Sequence, residues 1–222
     1  MLGDYFQSGA SQEQTNIWWN RFSRVNEVPD PAASMAEPPW CFVLPPDALW
    51  PGKQYVIGAI CLSCDRIGRE FPFTIWQCVS RKGLRLSLLF GKNSVPRNWL
   101  FWLSRLLAAY TGKGKGASQA TLPHFERALR RLWEAHKPSF TAWLGFRGRP
   151  SAPEAYGDIL DLLPESDLRG VTLMPWRDWP DRLLAPEALC YFWQQDHEGR
   201  YLRVFQDRTL GQDTIPWLFS SA

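Results

Sequence analysis

Four apolar segments follow one another closely between residues 40 and 90, and their spacing constrains the fold more than any other feature of the sequence. They cover residues 40–44, 54–62, 73–79 and 84–90, and they are rich in Val, Ile, Phe, Trp and Tyr, which strands favour. Parallel strands need crossover connections of about a dozen or more residues. The connections here are shorter, so we predict four strands that pair as an antiparallel meander.

Helices are predicted on both sides of this strand block. Residues 12–25 carry apolar side chains at helical spacing, with Ser11 as the N-cap. Further helices are predicted to begin at residues 95–96, to begin behind Thr121, and to cover residues 153–163.

The C-terminal part of the sequence adds more strands. They are predicted over residues 170–174, 188–194 and 201–205. Residues 196–199, Asp-His-Glu-Gly, predict a hairpin turn between the last two strands. Strands, then helices, then strands again predict an α+β fold, in which a largely antiparallel sheet packs with helices as an α/β sandwich. We expect a single compact unit over residues 1–222, with possible sub-units at 1–92 and 93–222.

The composition is that of a folded protein. Hydrophobic residues make up 45% of the chain and charged residues 21%, and 13 Trp, 13 Phe and 6 Tyr supply aromatic surface for a core or an interface. We expect no membrane insertion, because the longest stretch without a charge, Gln54–Cys64, is shorter than the roughly 18–20 residues that a spanning helix needs. The five scattered cysteines do not resemble a secreted disulfide framework, which favours a cytoplasmic location.

The formal net charge of +3 hides a segregation of charge along the chain. Residues 71–125 contain eight basic side chains and no carboxylate, and residues 126–149 add six basic side chains against two acidic ones. The flanks, residues 1–70 and 150–222, are both net acidic. A field of one sign can steer a partner of opposite charge. The basic middle therefore predicts either a docking face or internal neutralisation by the acidic flanks.

The sequence offers no convincing catalytic constellation, and we expect a protein that is not an enzyme and uses no cofactor or metal. Cys61 and Cys64 form a C-x-x-C pair, but they end an apolar strand instead of beginning a helix, where a redox thiol acquires its low pKa. None of the three histidines, His124, His136 and His197, has an obvious catalytic partner. A Cys-dependent redox protein is kept as an alternative.

A distinctive segment joins the second and third predicted strands, and residues 63–72 read Ser-Cys-Asp-Arg-Ile-Gly-Arg-Glu-Phe-Pro. Asp65 can accept hydrogen bonds from backbone N–H groups of a tight turn, and Gly68 can supply a positive φ. Arg66 and Arg69 can pair with Asp65 or with a carboxylate of a partner. Taken alone, the segment predicts a well-built β-turn.

The pattern S-x-D-R-x-G-R-x-F-P, framed by Ser63, Phe71 and Pro72, resembles the signature of the TagF (ImpM) family, accessory proteins of the bacterial type VI secretion system. Gly3-Asp4-Tyr5-Phe6 resembles the Gly-Asp-Phe element of that family. Residues 19–22, Trp-Asn-Arg-Phe, resemble its W-D-x-W element with two substitutions. The similarity is strongest over residues 3–80.

The resemblance implies a non-catalytic cytoplasmic protein that represses type VI secretion after translation by binding the forkhead-associated scaffold protein of the apparatus. We expect a docking face that uses the signature and the basic stretch from Arg81 to Lys115. Its candidate residues are Asp65, Arg66, Gly68, Arg69, Arg81, Lys82 and Arg85. A phosphate- or nucleic-acid-binding module built on the basic middle is a further alternative, although the sequence has no nucleic-acid-binding motif and we expect no nucleic acid partner.

Overall fold

The computed structural model describes residues 9–22, 37–64, 70–90, 98–111, 122–136, 174–196, 198–211 and 213–220. Within these ranges five strands form one sheet: β1 Trp40–Leu44, β2 Gln54–Cys64, β3 Glu70–Ser80, β4 Cys190–Gln195 and β5 Tyr201–Asp207. The helices are α1 Gln12–Phe22, α2 Arg81–Phe90, α3 Leu100–Thr111, α4 Leu122–His136 and α5 Thr214–Phe219, and a 3-10 helix spans Arg182–Leu184. This arrangement confirms the predicted α+β class with an antiparallel sheet.

The strand order is β3-β2-β1-β4-β5, and every neighbouring pair is antiparallel. The predicted meander is confirmed for β1, β2 and β3. β4 comes from the far end of the sequence but pairs with β1, where Cys41 lies opposite Trp193 and Phe42 lies opposite Phe192. Both halves of the sequence therefore contribute strands to one sheet, and β1 lies at its centre.

The prediction of a fourth strand over residues 84–90 is wrong, because this segment forms α2. The hydroxyl of Ser80 accepts a hydrogen bond from the backbone N–H of Gly83 at 3.1 Å, as an N-cap residue does. Most of the segment is Leu and Arg, both strong helix formers. The alternation of leucines with polar residues imitates the period of a strand, but the Ser80 cap and the local propensity favour the helix.

The other helix predictions agree with the structure where it describes them. Ser11 caps α1 in a reciprocal capping box, since its hydroxyl accepts the N–H of Gln14 at 3.2 Å and its own N–H donates to the Gln14 side chain at 3.1 Å. α4 begins at Leu122, directly after the predicted cap. α5 was not predicted. The helix start at 95–96, the helix over 153–163 and all but the last residue of the strand over 170–174 lie outside the described residues.

Two apolar layers enclose the sheet. α3, α4 and the 3-10 helix cover one face, and α1 and α5 cover the other. β1 is buried on both sides: Cys41 and Val43 belong to the first layer, and Trp40, Phe42 and Leu44 to the second. This position explains why β1 is apolar at every residue instead of alternating. No helix in the described ranges combines the length and apolar character required to cross a bilayer.

The hairpin turn predicted between β4 and β5 is confirmed. The backbone N–H of Asp196 donates to the carbonyl of Arg200 at 3.0 Å, and Gly199 adopts a φ of 88°, which suits glycine. The Asp196 carboxylate also accepts the backbone N–H groups of Glu198 and Arg200, each at 2.9 Å. The side chain and the backbone of Asp196 together stabilise the turn between β4 and β5.

Candidate functional site

The signature segment lies at one end of the β2–β3 hairpin. Ser63 on β2 pairs with Phe71 on β3, and Cys64 pairs with Glu70. The prediction that this segment joins two antiparallel strands is thus confirmed, with Pro72 opposite Leu62. Four candidate docking residues lie outside the described residues and stay predictions: Asp65, Arg66, Gly68 and Arg69.

The start of α2 presents a cluster of basic side chains at the opposite end of β3. Arg81, Lys82 and Arg85 are all exposed, whereas Leu84 between them is fully buried in the core. Residues three apart on a helix are neighbours on its surface. Lys82 and Arg85 therefore form a pair of adjacent cations, which we call the α2 basic pair.

Arg81 has a structural contact that separates it from the α2 basic pair. Its guanidinium donates a hydrogen bond to the backbone carbonyl of Leu184 in the 3-10 helix. The neighbouring carbonyl, that of Leu183, accepts a hydrogen bond from the Tyr55 hydroxyl at 2.9 Å. Burial raises the pKa of Tyr55, and the charge of Arg81 partly offsets that rise. Arg81 thus attaches the 3-10 helix to the start of α2, and Tyr55 attaches the 3-10 helix to the sheet.

Arg105 shows that the basic stretch from Arg81 to Lys115 is not one continuous surface. This residue of α3 is only 8% exposed, its guanidinium carbon lies 3.2 Å from the centre of the Phe101 ring, and it donates to the carbonyls of Phe101 and Asp196 at 3.0 and 2.6 Å. Burial lowers its pKa to about 10, although neighbouring groups oppose that shift. Arg105 therefore counts toward the basic stretch in the sequence but presents little charge at the surface, and the docking face itself stays a prediction.

Cys61, the first residue of the C-x-x-C pair, has a buried thiol. Cys61 is 5% exposed, and its thiol lies 3.5 Å from the Thr111 hydroxyl. Burial raises its pKa to about 12, despite the hydrogen bond with Thr111, which acts in the opposite direction. A redox thiol needs the opposite shift. Within the described ranges, no three His, Cys, Asp or Glu side chains are arranged to hold a metal ion.

Two surface features were not singled out by sequence reasoning. Arg127 and Arg130 are exposed on α4 at the same three-residue spacing as the α2 basic pair. Leu202 and Val204 on β5 and Trp217 on α5 are exposed apolar side chains. The excess of basic residues over 126–149 indicates the exposed arginines of α4. No sequence pattern indicates the exposed apolar side chains, because an exposed Leu or Val in a strand has the same pattern as a buried one.

Comparisons with known proteins agree with the signature. Residues 2–132 match the family described as the TagF N-terminal domain, type VI secretion system-associated. The fold is similar to the crystal structure of PA0076 from Pseudomonas aeruginosa PAO1, with a TM-score of 0.57. That likeness covers 98% of this chain and 89% of PA0076 at 17% sequence identity, and it concerns the fold alone. No curated protein matches the sequence.

Proposed function

Because the chain belongs to the TagF family of type VI secretion system-associated proteins, we propose that it regulates type VI secretion without catalysing a reaction. It acts in the cytoplasm, after translation, and represses secretion by binding the forkhead-associated scaffold protein of the apparatus. The α2 basic pair is the centre of its docking surface, and the signature residues 65–69 belong to the same function.

The observation that supports this surface best is the exposure of Lys82 and Arg85 side by side on α2. They lie in the 71–125 segment, which contains no carboxylate to neutralise them locally. Complementary charges speed association and determine which partner binds. The pair therefore fits an acidic surface on the scaffold.

The buried thiols support a non-catalytic role. Burial raises the pKa of Cys41, Cys61 and Cys190 to about 12 in each case. A thiol with so high a pKa stays protonated near neutral pH, whereas the thiolate is the nucleophile and the metal ligand. These three residues are poor candidates for the redox alternative.

Calorimetric titration of the full chain with purified scaffold protein tests the proposal. The variant Lys82→Glu/Arg85→Glu should bind about tenfold more weakly or worse, because like charges then face each other across the interface. The matched control reverses Arg127 and Arg130 on α4, which have the same spacing and exposure, and should bind like the wild type. Arg81 is left unchanged, since its reversal would also break the contact with Leu184.

Three outcomes would overturn parts of the proposal. Equal affinity of the α2 variant and the wild type would exclude the α2 basic pair from the interface. Failure of the wild type to bind the scaffold would exclude the partner.

A parallel titration with inorganic phosphate and a single-stranded oligonucleotide tests the alternative function, a phosphate- or nucleic-acid-binding module. Binding that weakens steeply with salt and disappears in the α2 variant would favour a polyanion as the ligand.

A further inference from the structure

Two successive backbone carbonyls of the 3-10 helix Arg182–Leu184 connect it to two different elements. The guanidinium of Arg81, the first residue of α2, donates to the carbonyl of Leu184. The hydroxyl of Tyr55 on β2 donates to the carbonyl of Leu183 at 2.9 Å. Because the two acceptors belong to adjacent residues, the 3-10 helix joins the sheet and α2 at one place.

The register of the sheet brings Tyr55 to the point where α2 begins. Tyr55 on β2 pairs with Val79 on β3, and Arg81 follows Val79 by two positions. The positive charge of Arg81 lowers the pKa of the Tyr55 hydroxyl, against the larger opposite effect of burial. The two donors are therefore close to each other as well as to the 3-10 helix.

Apolar side chains bury the same junction. Leu84 of α2 and Leu183 of the 3-10 helix are both fully buried, and they belong to the same core layer as Tyr55 and Val79. In the sequence of α2, Leu84 lies between the two members of the α2 basic pair. A shift of Leu84 within the core would therefore move the α2 basic pair with it.

α2 needs such contacts because it is short. It spans 10 residues, Arg81–Phe90, and an isolated helix of fewer than about 12–15 residues is marginally stable in water. Packing against β2 and β3 and the Ser80 cap support α2 from the side of the sheet. The hydrogen bond from Arg81 to Leu184 adds a support from the C-terminal part of the chain.

We propose that the 3-10 helix Arg182–Leu184 positions the α2 basic pair for docking, and that Arg81 and Tyr55 are positioning residues that act through it. This inference rests on the proposed function. It gives Arg81 a role different from that of the α2 basic pair, since its guanidinium holds α2 in place instead of contacting the partner. The 3-10 helix lies beyond residue 132, where the family match ends, so the C-terminal part of the chain contributes to the geometry of the docking surface.

Hydrogen exchange of the full chain, without scaffold protein, tests the positioning by itself. Tyr55→Phe removes the hydroxyl and keeps the buried ring, and Arg81→Met keeps the apolar stem and removes the donors. Each substitution should speed the exchange of the backbone amides of Gly83–Arg85 about fivefold, as the loss of one hydrogen bond allows.

Two control variants distinguish this effect from a loss of charge and from general destabilisation. Arg182→Gln removes an exposed cation of the 3-10 helix that pairs with Asp178 at 3.3 Å. Trp40→Phe weakens the other core layer. Both should leave the exchange of the Gly83–Arg85 amides as in the wild type, because neither changes the contacts between the 3-10 helix and α2.

Calorimetric titration with the scaffold protein at low and high salt connects the positioning to docking. Tyr55 is only 2% exposed, so it does not contact a partner, and a several-fold loss of affinity in Tyr55→Phe acts through the position of α2. Arg81→Met should lose a similar factor at both salt concentrations. A cation that contacts the partner directly would make the affinity of Arg81→Met less dependent on salt than that of the wild type.

Each negative result overturns a stated part of the proposal. Unchanged exchange of the α2 amides in Tyr55→Phe and Arg81→Met overturns the positioning role, because this measurement involves no scaffold. Faster exchange together with wild-type affinity overturns the link to docking. A weaker salt dependence in Arg81→Met overturns the role given to Arg81. If the wild type does not bind the scaffold, the proposed function fails, and the exchange rates still show whether the 3-10 helix holds α2.

Discussion

The indole N–H of Trp40 donates a 2.9 Å hydrogen bond to the backbone carbonyl of Leu218, which joins β1 to α5 across 178 positions of the sequence. Both side chains are fully buried and belong to the same core layer. Trp40 lies within the segment that matches the family domain, residues 2–132, and Leu218 lies well beyond it. The C-terminal part of the chain therefore completes the core of the family domain.

Replacing Trp40 with Phe should lower the free energy of unfolding by about 1–3 kcal/mol. The smaller ring leaves a cavity, and the carbonyl of Leu218 loses its buried hydrogen-bond donor. Urea unfolding followed by tryptophan fluorescence or circular dichroism measures the effect. The control, Trp19→Phe, changes a side chain that is 45% exposed and should cost no more than about 0.5 kcal/mol. Equal effects at the two positions would contradict this assignment.

A fragment of residues 1–132 should not unfold cooperatively. It lacks β4, which pairs with β1 at the centre of the sheet, and α5, which covers one face. Apolar side chains of β1 would be exposed to solvent, and burial of such side chains is the main favourable term in folding. Thermal denaturation of the fragment and the full chain, followed by near-ultraviolet circular dichroism, makes the comparison. A sharp transition in the fragment would show that the matched segment folds alone.

Replacing Gly58 with Ala should destabilise the protein by several kcal/mol or prevent folding, as overpacking in a rigid core does. A Cβ at this position of β2 would meet the backbone carbonyl of Ile75, approach Cζ of Phe42 to 2.6 Å and approach Cα of Trp76 to 2.9 Å. Gly52→Ala is the control, because its nearest new contact is at 4.0 Å, with the Trp50 side chain. Melting temperatures of the two variants test the prediction. A small effect at Gly58 would mean that β1 and β3 can move apart.

The stability of the protein should fall as the pH rises from 9 to 12, partly because of Cys61. Its pKa is about 12 in the folded chain and 9.0 when unperturbed, so in this window the thiol ionises in the unfolded state and stays protonated in the folded one. Ionisation then favours unfolding. Cys61→Ala should make the fall shallower by up to about 1.4 kcal/mol per pH unit. Urea unfolding with a thiol reductant measures both slopes.

An unchanged slope in Cys61→Ala would contradict the buried, protonated state of this thiol. Rapid alkylation of Cys61 in the folded protein at neutral pH would go further and support the redox alternative. Half-buried Cys78, whose pKa is also raised by burial, is the internal comparison for the rate of alkylation.

The strands near the N-terminus were predictable because residues within each strand and directly beside it determine where the strand lies. β1 has the predicted bounds, since Trp40–Leu44 is an uninterrupted apolar run between prolines. The insertion of β4 beside β1 was not predictable, because the pairing of Cys41 with Trp193 depends on contacts between distant segments. The segment of α2 has the alternating pattern of a strand, and the cap that favours the helix depends on a single hydroxyl, that of Ser80.

The candidate site was predictable only in part. Family membership followed from the signature, and it is confirmed by the match over residues 2–132. The charge of a residue, however, does not indicate whether its side chain is buried. Arg105 counted toward the basic middle, but it stacks on Phe101 and donates to backbone carbonyls that only the tertiary fold brings near. Lys82 and Arg85 carry the same charge as Arg105, but their side chains are exposed to solvent.

Secretion of a type VI substrate, in cells that lack this protein and are complemented with variants of it, tests the central claim most directly. The claim is that repression depends on docking through the α2 basic pair. At equal protein abundance, the wild type and Arg127→Glu/Arg130→Glu should lower secretion to the same level, and Lys82→Glu/Arg85→Glu should leave it high. Full repression by Lys82→Glu/Arg85→Glu would contradict the claim.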